Sequence, residues 1–507
     1  MTAHAAALAR RHLVVDLRAV LSMVGRIITL LALAMLAPLA LAAWDGEPMR
    51  PFVVGLIAGL VGGQTLELAC GRRSGQVQVR EAFSVVALTW AVAALWGGVP
   101  YLVAGGDLGN VVDSYFETMS GFTTSGSTVI TDFDEYDRSI YFWRGLTQWL
   151  GGMGIVALAI AVLGRTGPGG KALLEREAPG PEVEKLTPRI RDTALHLWLV
   201  YIGISAVMIA CLWAVYLVGF EHGMDLYEST VHMFTAMSTG GFSPNADSMQ
   251  PYGPVTLGIL TLFQVIAGAN FALWYLMVKR DWWAAVRDGE FRVYIGILAG
   301  ASVLVAVGLL LTTPKGWVAS FGEATFQVVT IMTTTGYASQ DFALWSAFCL
   351  LILFAVMFIG GCAGSTGGAI KVIRIRLIAG LMRRDIETAV HPEAVRAVRV
   401  NGRPMRESAM QGATVFAAIY LLAWAVGTAF VLLDCTVRGV EQDAFTAMVS
   451  AATTIGNVGP GVGASGPFGS FHGYPPESKV VLSALMWIGR LEILPVFVLF
   501  TRAYWRR

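Results

Sequence analysis

A chain of 507 residues that is 55% hydrophobic and only 14% charged, against about 25% charged in soluble domains, reads as a polytopic membrane protein. Its formal net charge of +1 gives no global field for nucleic acid or another polyanion. The five cysteines (Cys70, Cys211, Cys349, Cys362, Cys435) form no CxxC pair and the seven histidines no HExxH cluster, which argues against a disulfide framework and a metalloenzyme.

Arg10, Arg11 and Arg18 lead into an apolar run from about Val20 to Trp44. Its end, LALAAW, resembles a signal-peptidase site, but the run is long enough to span, which takes about 20 residues, and it reads as a retained span. A second span follows from about Pro51 to Cys70. After that one plan recurs four times: an outer span, a short helix ending in a Gly/Thr/Ser/Asn run, and a return span. The outer and return spans are about Phe83 to Val103 and Tyr141 to Leu163, then Ala194 to Val218 and Val255 to Val278. The third pair is Val293 to Thr312 and Phe342 to Ile359, with a glycine-rich interruption and a basic helical tail, and the fourth is Ala409 to Leu432 and Val480 to Tyr504. The predicted fold is therefore all-α, with about ten spans and four half-spans: two N-terminal helices (1–79) and four repeats (80–165, 166–285, 286–385, 386–507).

Lys and Arg concentrate in cytoplasmic loops. With this topology 28 of the 36 basic residues fall inside and six outside (Arg50, Arg138, Arg144, Lys315, Arg438, Lys479), while Arg26 and Arg490 lie within spans. One miscounted span would invert every later loop, so both termini are expected in the cytoplasm and all four half-spans enter from the outer side. The basic segments Gly164 to Asp192 and Arg383 to Glu407 are docking surfaces or positive-inside anchors.

The short helices end in FETMSGFTTSGSTVI (Phe116 to Ile130), FTAMSTGGFS (Phe234 to Ser243), FQVVTIMTTTGYAS (Phe326 to Ser339) and FTAMVSAATTIGNVGPG (Phe445 to Gly461). Irregular backbone facing lipid would leave polar groups unpaired, so these runs line a wet cavity. Exposed carbonyls at the negative end of a short helix are suited to a dehydrated cation, and four copies can close a ring. Acidic residues near the helix starts, Asp113, Asp225, Glu323 and Asp443, are expected to cap them and to draw cations to the mouth. Arg490, deep in the last span, needs interior partners, and the carbonyls of the glycine-rich loop 360–368 are suitable acceptors.

The runs FETMSGFTTSGST, WRGLTQWLGGMG (Trp143 to Gly154), STGGFS, TTTGY, GGCAGSTGGAIKVIR (Gly360 to Arg374) and GRLEILPV (Gly489 to Val496) together resemble the TrkH branch of the Trk/Ktr/HKT superfamily of potassium transporters. The resemblance covers roughly Arg80 to the C-terminus. It implies four channel-like units fused in one chain, a homodimer in the bacterial inner membrane, and a cytosolic nucleotide-binding regulatory subunit of the TrkA type. Potassium is then the transported ion, with no organic cofactor and no enzymatic activity.

Carried over, the filter glycines are Gly126, Gly241, Gly336 and Gly459, with carbonyls supplied by Thr124 and Ser125, Thr239 and Gly240, Thr334 and Thr335, and Asn457 and Val458. The fourth repeat departs from the family pattern, having Gly456 where many members carry a second Asn, which puts its register and selectivity in doubt. Loop 360–368, with Gly360, Gly361, Gly364, Gly367 and Gly368, becomes a mobile plug held by Arg490. The competing functions are a cation symporter, for which Glu117 is the main coupling candidate, a sodium-permeable member of the same superfamily, and, remotely, a membrane enzyme.

Overall fold

The computed structural model describes residues 15–71, 79–154, 190–393 and 396–505. The first two spans are Leu17–Asp45 and Arg50–Ala69. They meet through small residues: a Cβ on Gly25 would lie 2.5 Å from the Gly63 carbonyl oxygen, and one on Gly63 2.4 Å from Thr29 Oγ1. Lipid gives helices no hydrophobic reason to associate, so backbone approach of this kind supplies the dispersion contact instead. Arg26, within the first span, is neutralised by Glu67 at 2.8 Å.

Four outer spans follow, Arg80–Ala104, Leu195–Leu217, Gly289–Thr312 and Glu407–Arg438. Four pore helices, Val111–Phe122, Leu226–Met237, Trp317–Met332 and Ala444–Gly456, are 12 to 16 residues long and too short to cross a bilayer. Two of the four expected acidic caps form: Asp225 accepts from the Glu228 amide and Asp443 from that of Thr446. At the first pore helix Asn110 is the cap, and Asp113, in the first turn where its charge still complements the helix N-terminus, pairs with Lys479 at 2.6 Å; the expectation for Glu323 is overturned, since it sits mid-helix and pairs with Lys315.

The return helices are Arg138–Gly152, Pro254–Ala267, Ala347–Met357 and Pro476–Arg490; the expectation of a continuous return span fails for the second and the fourth, while the third is interrupted as expected. The second turns by 98° before resuming as Phe271–Val278. The third resumes only at Val372–Val390, and the fourth is broken by Glu492 and Ile493, at φ of 56° and 66°, before Leu494–Leu499. The continuation of the first, and most of the basic 164–192 segment, lie outside the described residues. Among those residues six helices, or seven with the bent pair, are long and apolar enough to cross. The difference from ten lies in the return segments.

Broken backbone at membrane depth must find partners within the protein. The second and third breaks satisfy each other. The Cys362 amide donates to the Gly268 carbonyl at 2.8 Å, the Thr366 amide to Ala267, and the Phe271 amide to Gly364 at 3.1 Å.

Candidate functional site

Each pore helix ends in one way. The Thr124 amide donates to the Gly121 carbonyl and the Ser125 amide to that of Ser120. Equivalent pairs join Thr239 to Ala236 and Gly240 to Thr235, Thr334 to Ile331 and Thr335 to Thr330, and Asn457 to Thr454 and Val458 to Thr453. This is the Schellman termination, which needs a left-handed residue just past the helix, and φ is 54° at Thr124, 55° at Thr239, 63° at Thr334 and 54° at Asn457. Asn tolerates that region. For β-branched Thr it costs about 1–2 kcal/mol, and such strain collects where function fixes the backbone. The residue two positions on is in every case a left-handed glycine, Gly126, Gly241, Gly336 or Gly459. The Asn457 and Val458 bonds put the fourth triad in the same register as the others, despite Gly456.

The four triads close on one another. A Cβ on Gly126 would meet the Gly240 carbonyl oxygen at 2.2 Å, one on Gly241 that of Thr335 at 1.8 Å, one on Gly336 that of Val458 at 1.8 Å, and one on Gly459 that of Ser125 at 2.8 Å. Each glycine thus faces the middle carbonyl of the next triad, and the cycle returns to its start. Carbonyl oxygens converging in this way are what a cation needs in place of its hydration shell. A cavity of about 310 Å³ opens onto all four glycines and is further lined by Thr128, Phe242, Asn245 and Phe468.

Glu117 and Arg144 brace the rim of this cavity. Arg144 Nη2 lies 2.7 Å from Glu117 Oε1, its Nη1 donates to the Ser243 carbonyl at 3.2 Å, and Glu117 Oε2 accepts from the Val129 amide at 2.9 Å. Both side chains are buried. The pair therefore fastens the chain after the first triad to the chain after the second. Arg144, read from the sequence as an outer-loop residue, is part of the framework, and Glu117 is committed to a partner, which weakens it as a symport coupling site.

On the opposite side of the triads, beside their first residues rather than their glycines, lies the stretch 358–371. The Gly368 amide donates to Thr334 Oγ1 at 2.8 Å, and Thr366 Oγ1 lies 3.3 Å from Thr239 Oγ1. A Cβ on Gly368 would be 2.3 Å from the Gly456 carbonyl oxygen and 3.1 Å from Asn457 Oδ1. The stretch thus touches the second, third and fourth triads. Its glycines are there for close approach: a Cβ on Gly360 would be 2.1 Å from the Gly368 carbonyl oxygen, one on Gly361 2.4 Å from that of Gly268, and one on Gly367 3.0 Å from that of Thr333. Gly364 has a φ of 74°.

Arg490 reaches this loop, donating through Nη1 to the Thr366 carbonyl at 2.5 Å and through Nη2 to the carbonyls of Gly151 and Gly152 at 2.9 and 3.0 Å. It joins the loop to the end of the first return helix. Lys371, counted from the sequence among the basic residues on the cytoplasmic side, is buried and donates to the Gly367 carbonyl. Its place within the glycine-rich motif was the available signal. Glu492 turns away from Arg490 to pair with Arg374.

A family profile described as "TrkH: Cation transport protein" matches residues 50–288 and 311–507. The chain is 34% identical over 495 residues to the Trk system potassium uptake protein TrkH of Escherichia coli strain K12, covering 96% of this chain and 99% of that one. It is 31% identical over 487 residues to the Trk system potassium uptake protein TrkI of Halomonas elongata, covering 94% of each. The crystal structure of the potassium transporter TrkH from Vibrio parahaemolyticus superposes with a TM-score of 0.84 at 32% identity, covering 97% of this chain and 100% of that one.

Proposed function

The chain belongs to the TrkH family of cation transport proteins, and we propose that it takes up potassium through a gated pore in which the four triads are the selectivity filter and the 358–371 loop is the gate. Potassium uptake is the activity of its relatives by name, and this chain carries the same membrane fold. The observation that carries the filter reading is the closed cycle of glycines and carbonyls: Ser125, Gly240, Thr335 and Val458 present oxygens around one centre, and the dipoles of four pore helices end there. Thr124, Thr239, Thr334 and Asn457 contribute backbone carbonyls one step deeper. The loop lies across the inner exit, tethered by Arg490 and braced from within by Lys371, and the two charges also raise the barrier to cations.

The division into repeats at 80–165, 166–285, 286–385 and 386–507 belongs to the same reading. So do placement in the bacterial inner membrane with both termini cytoplasmic, pairing as a homodimer, and regulation by a soluble nucleotide-binding subunit of the TrkA type. Purified protein in liposomes tests it: potassium flux should follow its own gradient without protons or sodium, and Gly126→Ser should lower the potassium-to-sodium permeability ratio. Strict dependence of flux on a proton or sodium gradient would establish the symport reading instead.

A further inference from the structure

The second triad differs from the others at its middle position, where Ser125, Thr335 and Val458 carry side chains and Gly240 carries none. The missing volume is occupied by Gln148, from the first return helix: a Cβ on Gly240 would lie 2.4 Å from Gln148 Cδ and 2.5 Å from its Oε1. Gln148 is fully buried and uses both ends of its amide. Nε2 donates to the Gly240 carbonyl at 2.8 Å, and Oε1 accepts from the Phe242 amide at 3.1 Å. It thus grips the backbone on both sides of Gly241. Among the described residues, the middle carbonyl of no other triad accepts a side-chain hydrogen bond. Gln264, in the second return helix, is equally buried, yet neither end of its amide meets a partner.

We propose that Gln148 is a positioning residue of the filter, which fixes the Gly240 carbonyl and sets the width of the ring against contraction around a smaller cation. A carbonyl that already shares its electron density with an N–H is a weaker ligand and a less mobile one. The ring then has three free middle oxygens and one held at a set distance. Sodium, which requires its ligands to close in, loses more from that restraint than potassium does. This rests on the triads being the filter.

The test is the potassium-to-sodium permeability ratio of the full-length protein in liposomes, measured for Gln148→Met and, alongside it, Gly241→Ser. Methionine fills a similar volume but makes neither hydrogen bond, so Gln148→Met should lower the ratio by about three- to tenfold, the scale of one ordinary hydrogen bond, while potassium still passes. If Gln148→Met fails to fold, Gln148→Ala/Gly240→Ser, which refills the space from the other side and gives the second triad the residues of the first, should show the same loss. A ratio within about twofold of the parent in a folded variant lacking Gln148, with Gly241→Ser lowering the ratio or abolishing flux, would overturn the role of Gln148 alone. An unchanged ratio in both would overturn the filter reading and this inference with it.

Discussion

On one side of the triads, four stretches with different residues, Thr-Ser-Gly, Thr-Gly-Gly, Thr-Thr-Gly and Asn-Val-Gly, reach one backbone geometry through the same pair of capping hydrogen bonds. On the other side, the breaks in the second, third and fourth return helices are all different: a sharp bend, a long loop and a two-residue kink. If the triads are the filter, as proposed, the ring needs an oxygen from every corner, so the same dihedrals are imposed on each. On the same proposed reading an obstruction needs only one body in the path, which the third repeat would supply while the others supply its attachments.

The comparison breaks first at the glycines. Any Cβ at Gly336 meets the Val458 carbonyl oxygen at 1.8 Å, so Gly336→Ser is expected to cut potassium flux by about 100-fold, the equivalent of about 2.7 kcal/mol on the barrier. Gly459→Ser, whose Cβ has 2.8 Å, should be the mildest of the four; equal potassium flux through all four serine variants would mean the ring is not the conducting path. Next comes the brace at the rim. Glu117→Gln leaves Arg144 buried without its counter-charge and should destabilise the protein by about 3–5 kcal/mol, read as a lowered midpoint of thermal unfolding in detergent.

Below the triads, Arg490→Ala removes one hydrogen bond to the loop at Thr366 and the two to Gly151 and Gly152 that anchor Arg490 itself. Resting potassium flux without any partner should then rise about tenfold, the equivalent of about 1.4 kcal/mol. A well-folded variant with unaltered resting flux would show that Arg490 does not hold the loop shut. ATP and ADP should have no effect on flux through the purified chain, since the sequence holds no nucleotide motif; a response to either would remove the need for a soluble nucleotide-binding partner. The smallest effect is expected at the strained corner Thr124, where the hydroxyl is buried and unpartnered. Thr124→Asn copies the fourth triad, should relieve about 1 kcal/mol of left-handed strain, and should leave the permeability ratio within about twofold.

Much of the outer half was legible because its requirements act on residue type. A left-handed position admits little besides glycine and Asn, and Gly126, Gly241, Gly336, Gly459 and Asn457 are that constraint written out, while Thr124, Thr239 and Thr334 go against it. The inner half was harder to read. The stretch Val255 to Val278 passes every test for a continuous span, and only Gly268, Ala269 and Asn270 mark the place where it turns. Asp113 and Glu323 resembled caps because a carboxylate near a helix start is a common cap, but Lys479 meets Asp113 through tertiary contact, and Lys315, just before the third pore helix, is outside the spacings of three or four that pair side chains along a helix. Arg144 and Glu117 stand 27 positions apart, a separation at which local spacing says nothing about pairing.

The fourth corner has the least crowded junction of the ring, with 2.8 Å where two others have 1.8 Å, though a Cβ there would still press on backbone, and its glycine has the widest φ, 106°, which side chains rarely adopt. In an assembly of four identical subunits, any change of residue arrives in quadruplicate and must be tolerated at every corner at once. Here the corners are separate stretches of one polypeptide, and each can be altered while three remain intact. On the proposed filter reading that makes the fourth corner a dial: with Gly459 kept as glycine, graded changes at Val458 or Pro460 offer a route to shift ion preference in small steps, for natural variation and for engineering alike.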